Sequence, residues 1–234
     1  MINIDVAVVR DARRKPHTSL AAIPHRECFS GSDVSPWVGF CEALASIPYE
    51  ATHCLVLEDD AVVLPDLLDV VRKAIVSRPK DALYFCACGM QAAKEQDAAV
   101  RAVRSWALVS DRCVGTVAVC LPVGMAYRFL QWANGPACVE AMNEYPEMAY
   151  AGDTRLWYYL TRVVGVAQCV STWSIVGHGA PNPDESLVSQ RETLGVREAY
   201  NPVCGIPGMK TGFSGVRVEQ IDWGYHKWNK DSRL

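Results

Sequence analysis

Three consecutive carboxylates, Glu58-Asp59-Asp60, follow directly on the apolar run Cys54-Leu55-Val56-Leu57. Adjacent acids at the end of such a run repel one another and lose hydration together. A hard divalent cation relieves that repulsion, and a carboxylate-held Mg²⁺ or Mn²⁺ keeps positions open for substrate phosphates. A solvated acidic turn would carry the same residues, and the acids alone do not choose between the two. Much later, Gly177-His178-Gly179 closes another apolar run. Glycines on both sides let the backbone turn sharply and leave the imidazole projecting. A lone His is usually structural, but this one ends a strand, where a sheet presents ligands. Between them, Gly152-Asp153 opens a segment containing Leu156 and Trp157. An Asp there has an obvious structural task, capping the amides of a helix.

Regular elements must position these residues. A short unbroken apolar run suits a strand buried on both faces, as in a parallel sheet, and Leu55 to Leu57 reads that way. Further strands are expected at Asp5–Val9, Ala82–Cys88, Thr116–Leu121 and Ala167–Val176. Ser35-Pro36-Trp37 reads as a Ser cap followed by Pro at the first helical position, with the helix running to Ile47. Residues 65–76 read as an amphipathic helix with acids early and bases late. A helix follows Pro122 and stops at Asn134-Gly135-Pro136, and another runs from Asp153 to about Gly165. Residues 91–104 fit either a helix or a flap. From Tyr200 onward the chain is rich in Gly, Pro and aromatic residues, with little periodicity.

A chain of 234 residues, half of them hydrophobic, has material for one domain with a real core. No apolar run is long enough to span a bilayer, and the N-terminus lacks a signal peptide's order, so a cytoplasmic protein without stable membrane insertion is expected. Several of the ten cysteines sit inside apolar runs, where free Cys behaves as a small hydrophobe. The net charge of −3 is uneven, with basic ends around an acidic middle. That would suit an anionic ligand between the termini and a metal-binding centre, or equally a pair of solvated ends.

Leu-Glu-Asp-Asp, followed by an apolar pair and a Pro-initiated helix, resembles the acidic metal motif of GT-A glycosyltransferases. The form is that of the Glu-Asp-Asp lipopolysaccharide-type galactosyl- and glucosyltransferases. Ser174-Ile175-Val176 before His178 and Ser186-Leu187-Val188 after it resemble the ending of several bacterial and phage glycosyltransferases. The resemblance implies an α/β, Rossmann-like GT-A fold, with a mostly parallel central sheet flanked by helices. It spans residues 1–190, leaving 191–234 as an irregular extension packed on the same domain.

In that family the last acid, here Asp60, binds the metal bridging the donor diphosphate, and Asp59 contacts ribose or the metal's water shell. His178 matches a recurrent further metal contact. The loop after the first strand holds the nucleotide, so Arg10 and Arg13 would meet diphosphate and Asp11 would accept from uracil or ribose. Lys210 in the C-terminal stretch would add a diphosphate contact. Asp153 resembles the catalytic base of inverting members.

The implied function is transfer of a sugar from a nucleotide sugar, with UDP-sugar the expected donor, using Mn²⁺ or Mg²⁺. The acceptor would be a hydroxymethylated DNA base, as for phage-encoded enzymes acting in the host cytoplasm, or a saccharide. Glu58 in place of a first Asp, and Gly152-Asp153 in place of a paired acid, depart from the pattern. Rival readings are a metal-dependent nuclease or phosphohydrolase, and an inactive sugar-nucleotide-binding scaffold.

Overall fold

The computed structural model describes residues 1–12, 15–30, 36–86, 90–110, 115–149, 151–172 and 175–178. Arg13, the Ser35 cap, Lys210 and the extension at 191–234 lie outside the described residues.

The run that ends in the three acids is β3 (His53–Glu58), buried on both faces. Cys54 and Val56 pack with Phe40, Ala43 and Leu44 of α1 (Pro36–Ala45) in one core layer. Leu55 and Leu57 pack with Leu67, Val71 and Ile75 of α2 (Leu67–Ser77) in the other. A strand with a helix on each face has no solvent side, which is why its sequence is continuously apolar rather than alternating. Each of those two leucines is wholly buried, a contribution of roughly 1.5–3 kcal/mol apiece.

Around β3 lies a mixed sheet. β1 (Ile4–Asp11) pairs in parallel with β2 (Arg26–Ser30) on one side and with β3 on the other. On its far side β3 pairs antiparallel with β7 (Ala118–Pro122), which pairs antiparallel with β5 (Leu83–Tyr84). β8 (Gln168–Ser171) runs parallel to β5, and β6 (Trp106–Val109) lies antiparallel to β8 at the edge. The order is β2-β1-β3-β7-β5-β8-β6. The protein is therefore α/β, with a mostly parallel mixed sheet flanked by helices, an arrangement compatible with a Rossmann-like fold. Helix α3 (Met90–Arg101) fills the stretch that read as helix or flap. Helices α4 (Val123–Ala133) and α5 (Pro136–Glu144) follow β7, the first closing at Asn134 and the second starting at Pro136.

Two expectations need correction. The single strand at 167–176 is broken: β8 stays in the main sheet, whereas β9 (Val176–His178) pairs antiparallel with β4 (Ala61–Val63) in a separate ribbon. Asp153 is also not the cap of its helix. That helix, α6 (Gly152–Tyr158), has Ala151 at the N-cap, and Asp153 sits inside the first turn. Beyond Tyr158 it continues as a π-helical turn, Tyr159–Val164, closed by Gly165 at φ 78°. Glycine takes this left-handed conformation without a Cβ clash.

The described cysteines, among them Cys54, Cys120 and Cys169, are free thiols. Burial pushes the Cys169 thiol up to about 12 and the Cys41 thiol up to about 11, so both stay un-ionised and act as small hydrophobes. Among the described residues no helix is long and apolar enough to cross a membrane.

The first residue of β3 makes stability depend on pH. His53 is only 7% exposed; its Nε2 donates to the Pro79 carbonyl at 3.1 Å, and Nδ1 lies 3.0 Å from Thr52 Oγ1. Burial lowers its pKa, and the Pro79 carbonyl opposes this only in part. The unfolded chain therefore takes up a proton that the folded chain refuses. His53 should leave stability flat above about pH 6.5, then cost up to about 1.4 kcal/mol per pH unit on acidification until its folded pKa is reached. Urea unfolding across pH 5 to 8 checks this. His53→Gln should flatten the difference, and an unchanged slope in the variant would assign the pH dependence to other groups.

Candidate functional site

Because β1 and β3 are parallel, Asp11 and Glu58 finish at the same edge of the sheet. The register pairs Val9 with Glu58, so the residues after β3 emerge beside the end of β1. The Asp11 N–H donates to Asp59 Oδ2 at 3.0 Å, and the His17 N–H donates to the Asp59 carbonyl at 2.7 Å. Asp59 is 3% exposed and Asp11 8%. A carboxylate this deep needs donors, and the backbone amide at the end of β1 supplies one. Glu58 Oε1 accepts from Thr116 Oγ1 at 3.0 Å, while its amide donates to the Val117 carbonyl at 3.0 Å. The first acid is thus tied to the segment entering β7. Asp60, partly buried, begins the turn into β4.

The chain leaves β1 for β2 on one side, then crosses back through α1 to β3 on the other. In open α/β sheets ligands sit outside the carboxyl ends of the strands, where the strand order reverses in this way. The segment after β1 is fastened to the acidic turn through a 3-10 turn, Thr18–Ala22. Ser19 Oγ accepts from the Val63 N–H at 3.0 Å, and Leu20 is buried in the α2-side core.

The β4–β9 ribbon joins the two most distant candidates. Its register sets Ala61 opposite His178, Val62 opposite Gly177 and Val63 opposite Val176. The His178 backbone therefore lies across from the residue that directly follows Asp60, although 118 positions separate Asp60 from His178 along the chain.

Arg10 is also at this edge. Its Nη1 donates to both carboxylate oxygens of Glu27 at 2.8 Å, and its guanidinium carbon lies 5.6 Å from the centre of the Phe29 ring. Arg13 and Lys210 lie outside the described residues.

Asp153 reaches the same side of the molecule through Trp37. Helix α1 links the carboxyl end of β2 to the start of β3, so it runs against both strands, and Trp37 near its N-terminus stands toward the carboxyl edge. Gly152 packs on that ring: a Cβ here would lie 2.5 Å from Trp37 Cε3. The Arg155 guanidinium also lies over this ring, 4.4 Å from its centre. It donates to the Met148 and Ala149 carbonyls, and burial lowers its pKa. Asp153 Oδ1 accepts the Thr154 N–H at 2.8 Å, satisfying one open amide of the first turn from a position inside it. The absence of a side chain at Gly152 thus allows a close approach to Trp37. Gly152→Ala should destabilise the fold by about 1–3 kcal/mol, the usual cost of overpacking, with a shift in Trp fluorescence. Denaturant titration checks this, and an unchanged midpoint would mean that Trp37 moves aside freely.

Among the described residues no group of three or more His, Cys, Asp and Glu side chains is set to hold a metal ion. The acids present are hard oxygen donors, the type that suits Mg²⁺ and Mn²⁺. His17, Glu27, Phe29 and Thr116 belong to the site although no local pattern singles them out, since each matters through a partner far away in sequence. No protein-family model matches this chain, and no curated protein matches it. Fold and edge together define an α/β protein with an acidic turn at the carboxyl end of its central parallel strands.

Proposed function

We propose that the protein is a metal-dependent glycosyltransferase of the GT-A type. It moves a sugar from a nucleotide diphosphate sugar, with a UDP-sugar the expected donor, to an acceptor hydroxyl. The observation that carries this reading is the β4–β9 register, which sets His178 across from the end of the Glu58-Asp59-Asp60 turn. Ligands from both segments would be needed to complete a cation site, and the resemblance in sequence names the same two residues.

Asp60 and His178 would hold Mn²⁺ or Mg²⁺; the bound ion would neutralise charge on the departing diphosphate. Asp59, oriented by the Asp11 amide, would face ribose or the ion's water shell. Asp153 would take the proton of the acceptor hydroxyl as its oxygen bonds to the anomeric carbon. The bond from that carbon to the diphosphate oxygen breaks in line, with inversion, and the diphosphate leaves with the electron pair. The acceptor is a hydroxymethylated DNA base or a saccharide.

Thermal shift with UDP and UDP-sugars, with and without Mn²⁺, tests the donor half. Stabilisation that needs both nucleotide and metal is expected. Turnover with hydroxymethylated DNA or saccharides then separates an enzyme from an inactive scaffold. Cleavage of nucleic acid or phosphoesters without any donor would sink the transferase reading in favour of a hydrolase.

A further inference from the structure

The carboxyl edge carries an aromatic ring that the proposed reaction has not used. Phe29, on the edge strand β2, is 43% exposed. Its neighbour Cys28 points into the α1-side core, so alternation turns Glu27 and Phe29 to the other face. Arg10 turns to that face as well, since Val9 before it is in the α1-side core. The register pairs Arg10 with Phe29 across β1 and β2, and Asp59 comes one residue past the Val9–Glu58 pair across β1 and β3. Phe29 and Arg10 thus stand abreast on neighbouring strands, with Asp59 just past the end of the third.

We infer that Phe29 is the stacking platform for the nucleobase of the donor. This rests on the nucleotide-sugar reading above and adds to it the residue that receives the base. The Arg10 guanidinium, stacked 5.6 Å from the ring centre and held by two 2.8 Å bonds to Glu27, steadies the ring from one side. Two strand spacings of about 4.8 Å separate β2 from β3, so a base on Phe29 would lie roughly 10 Å from the acidic turn. A ribose and the first phosphate fill that gap and bring the second phosphate to Asp60. Stacking on an aromatic ring tolerates any base, because every base has a π-face.

The test is calorimetric titration of UDP, GDP, ADP and inorganic pyrophosphate into wild type, Phe29→Ala and Phe29→Trp, all with Mn²⁺ present. Circular dichroism confirms that each variant is folded. Phe29→Ala should weaken the best-binding nucleoside diphosphate about 5- to 150-fold, from the usual worth of one stacked base. It should leave pyrophosphate unchanged, and Phe29→Trp should retain nucleotide affinity. Equal nucleotide affinity in wild type and Phe29→Ala overturns the platform and leaves the donor reading intact. A parallel loss for nucleotide and pyrophosphate also overturns it, because the effect then does not pass through the base. Wild type that binds neither overturns the platform and the donor reading together.

Discussion

Asp153→Asn is expected to bind donor and metal as the wild type does, yet to transfer sugar about 10²–10⁴-fold more slowly, the usual worth of positioned proton transfer. The motivation is its place on α6, where Gly152 packs against Trp37 at the carboxyl side of the sheet. The substitution is mild for the fold. Asp153 Oδ1 accepts the Thr154 N–H at 2.8 Å, and the side-chain oxygen of Asn can accept the same bond. Stability should therefore change by only a few tenths of a kcal/mol, as between good residues at a helix N-terminus. The measurement is paired: melting temperature beside transfer rate at saturating donor. A stable variant with near-normal turnover removes Asp153 from the chemistry and leaves it as a residue that satisfies a helix end.

Asp60→Asn should cost metal-dependent UDP affinity at least about 100-fold, above the 10- to 100-fold that follows loss of a mere outer-shell partner. The reason is charge: an amide oxygen can still face the ion but no longer compensates its charge. The fold should persist, because Asp60 is a partly buried turn residue outside both core layers. Calorimetric titration of UDP with Mn²⁺ reads the loss, and unchanged affinity would falsify the metal assignment. A companion pair of alanine substitutions separates the acids. Asp59 accepts the Asp11 amide, so Asp59→Ala leaves a buried donor without its acceptor and should lower the melting temperature more than Asp60→Ala does.

How much of this is legible in the sequence differs from residue to residue. The run Cys54–Leu57 suited a doubly buried strand, because four successive apolar side chains leave a strand no wet face. Helix α2 announced itself by its period, whereas the packing of Gly152 on Trp37 did not. The edge strand β2 did not, since Arg26 and Glu27 interrupt any apolar pattern. The same holds for the three-residue strands β4 and β9. Their existence depends on each other, and neither segment alone carries a period.

The sequence by itself determined which residues could do chemistry: three acids at a strand end, a His between glycines, an Asp at a helix start. Only the tertiary structure decided how those acids differ. Glu58 is tied to Thr116, Asp59 to the Asp11 and His17 amides, and Asp60 opens the turn that runs alongside His178. Such differences arise from hydrogen bonds and ladder registers between segments as far as 118 positions apart. Propensity and periodicity act over a few neighbours, so they name the donors and acceptors but cannot say which will meet.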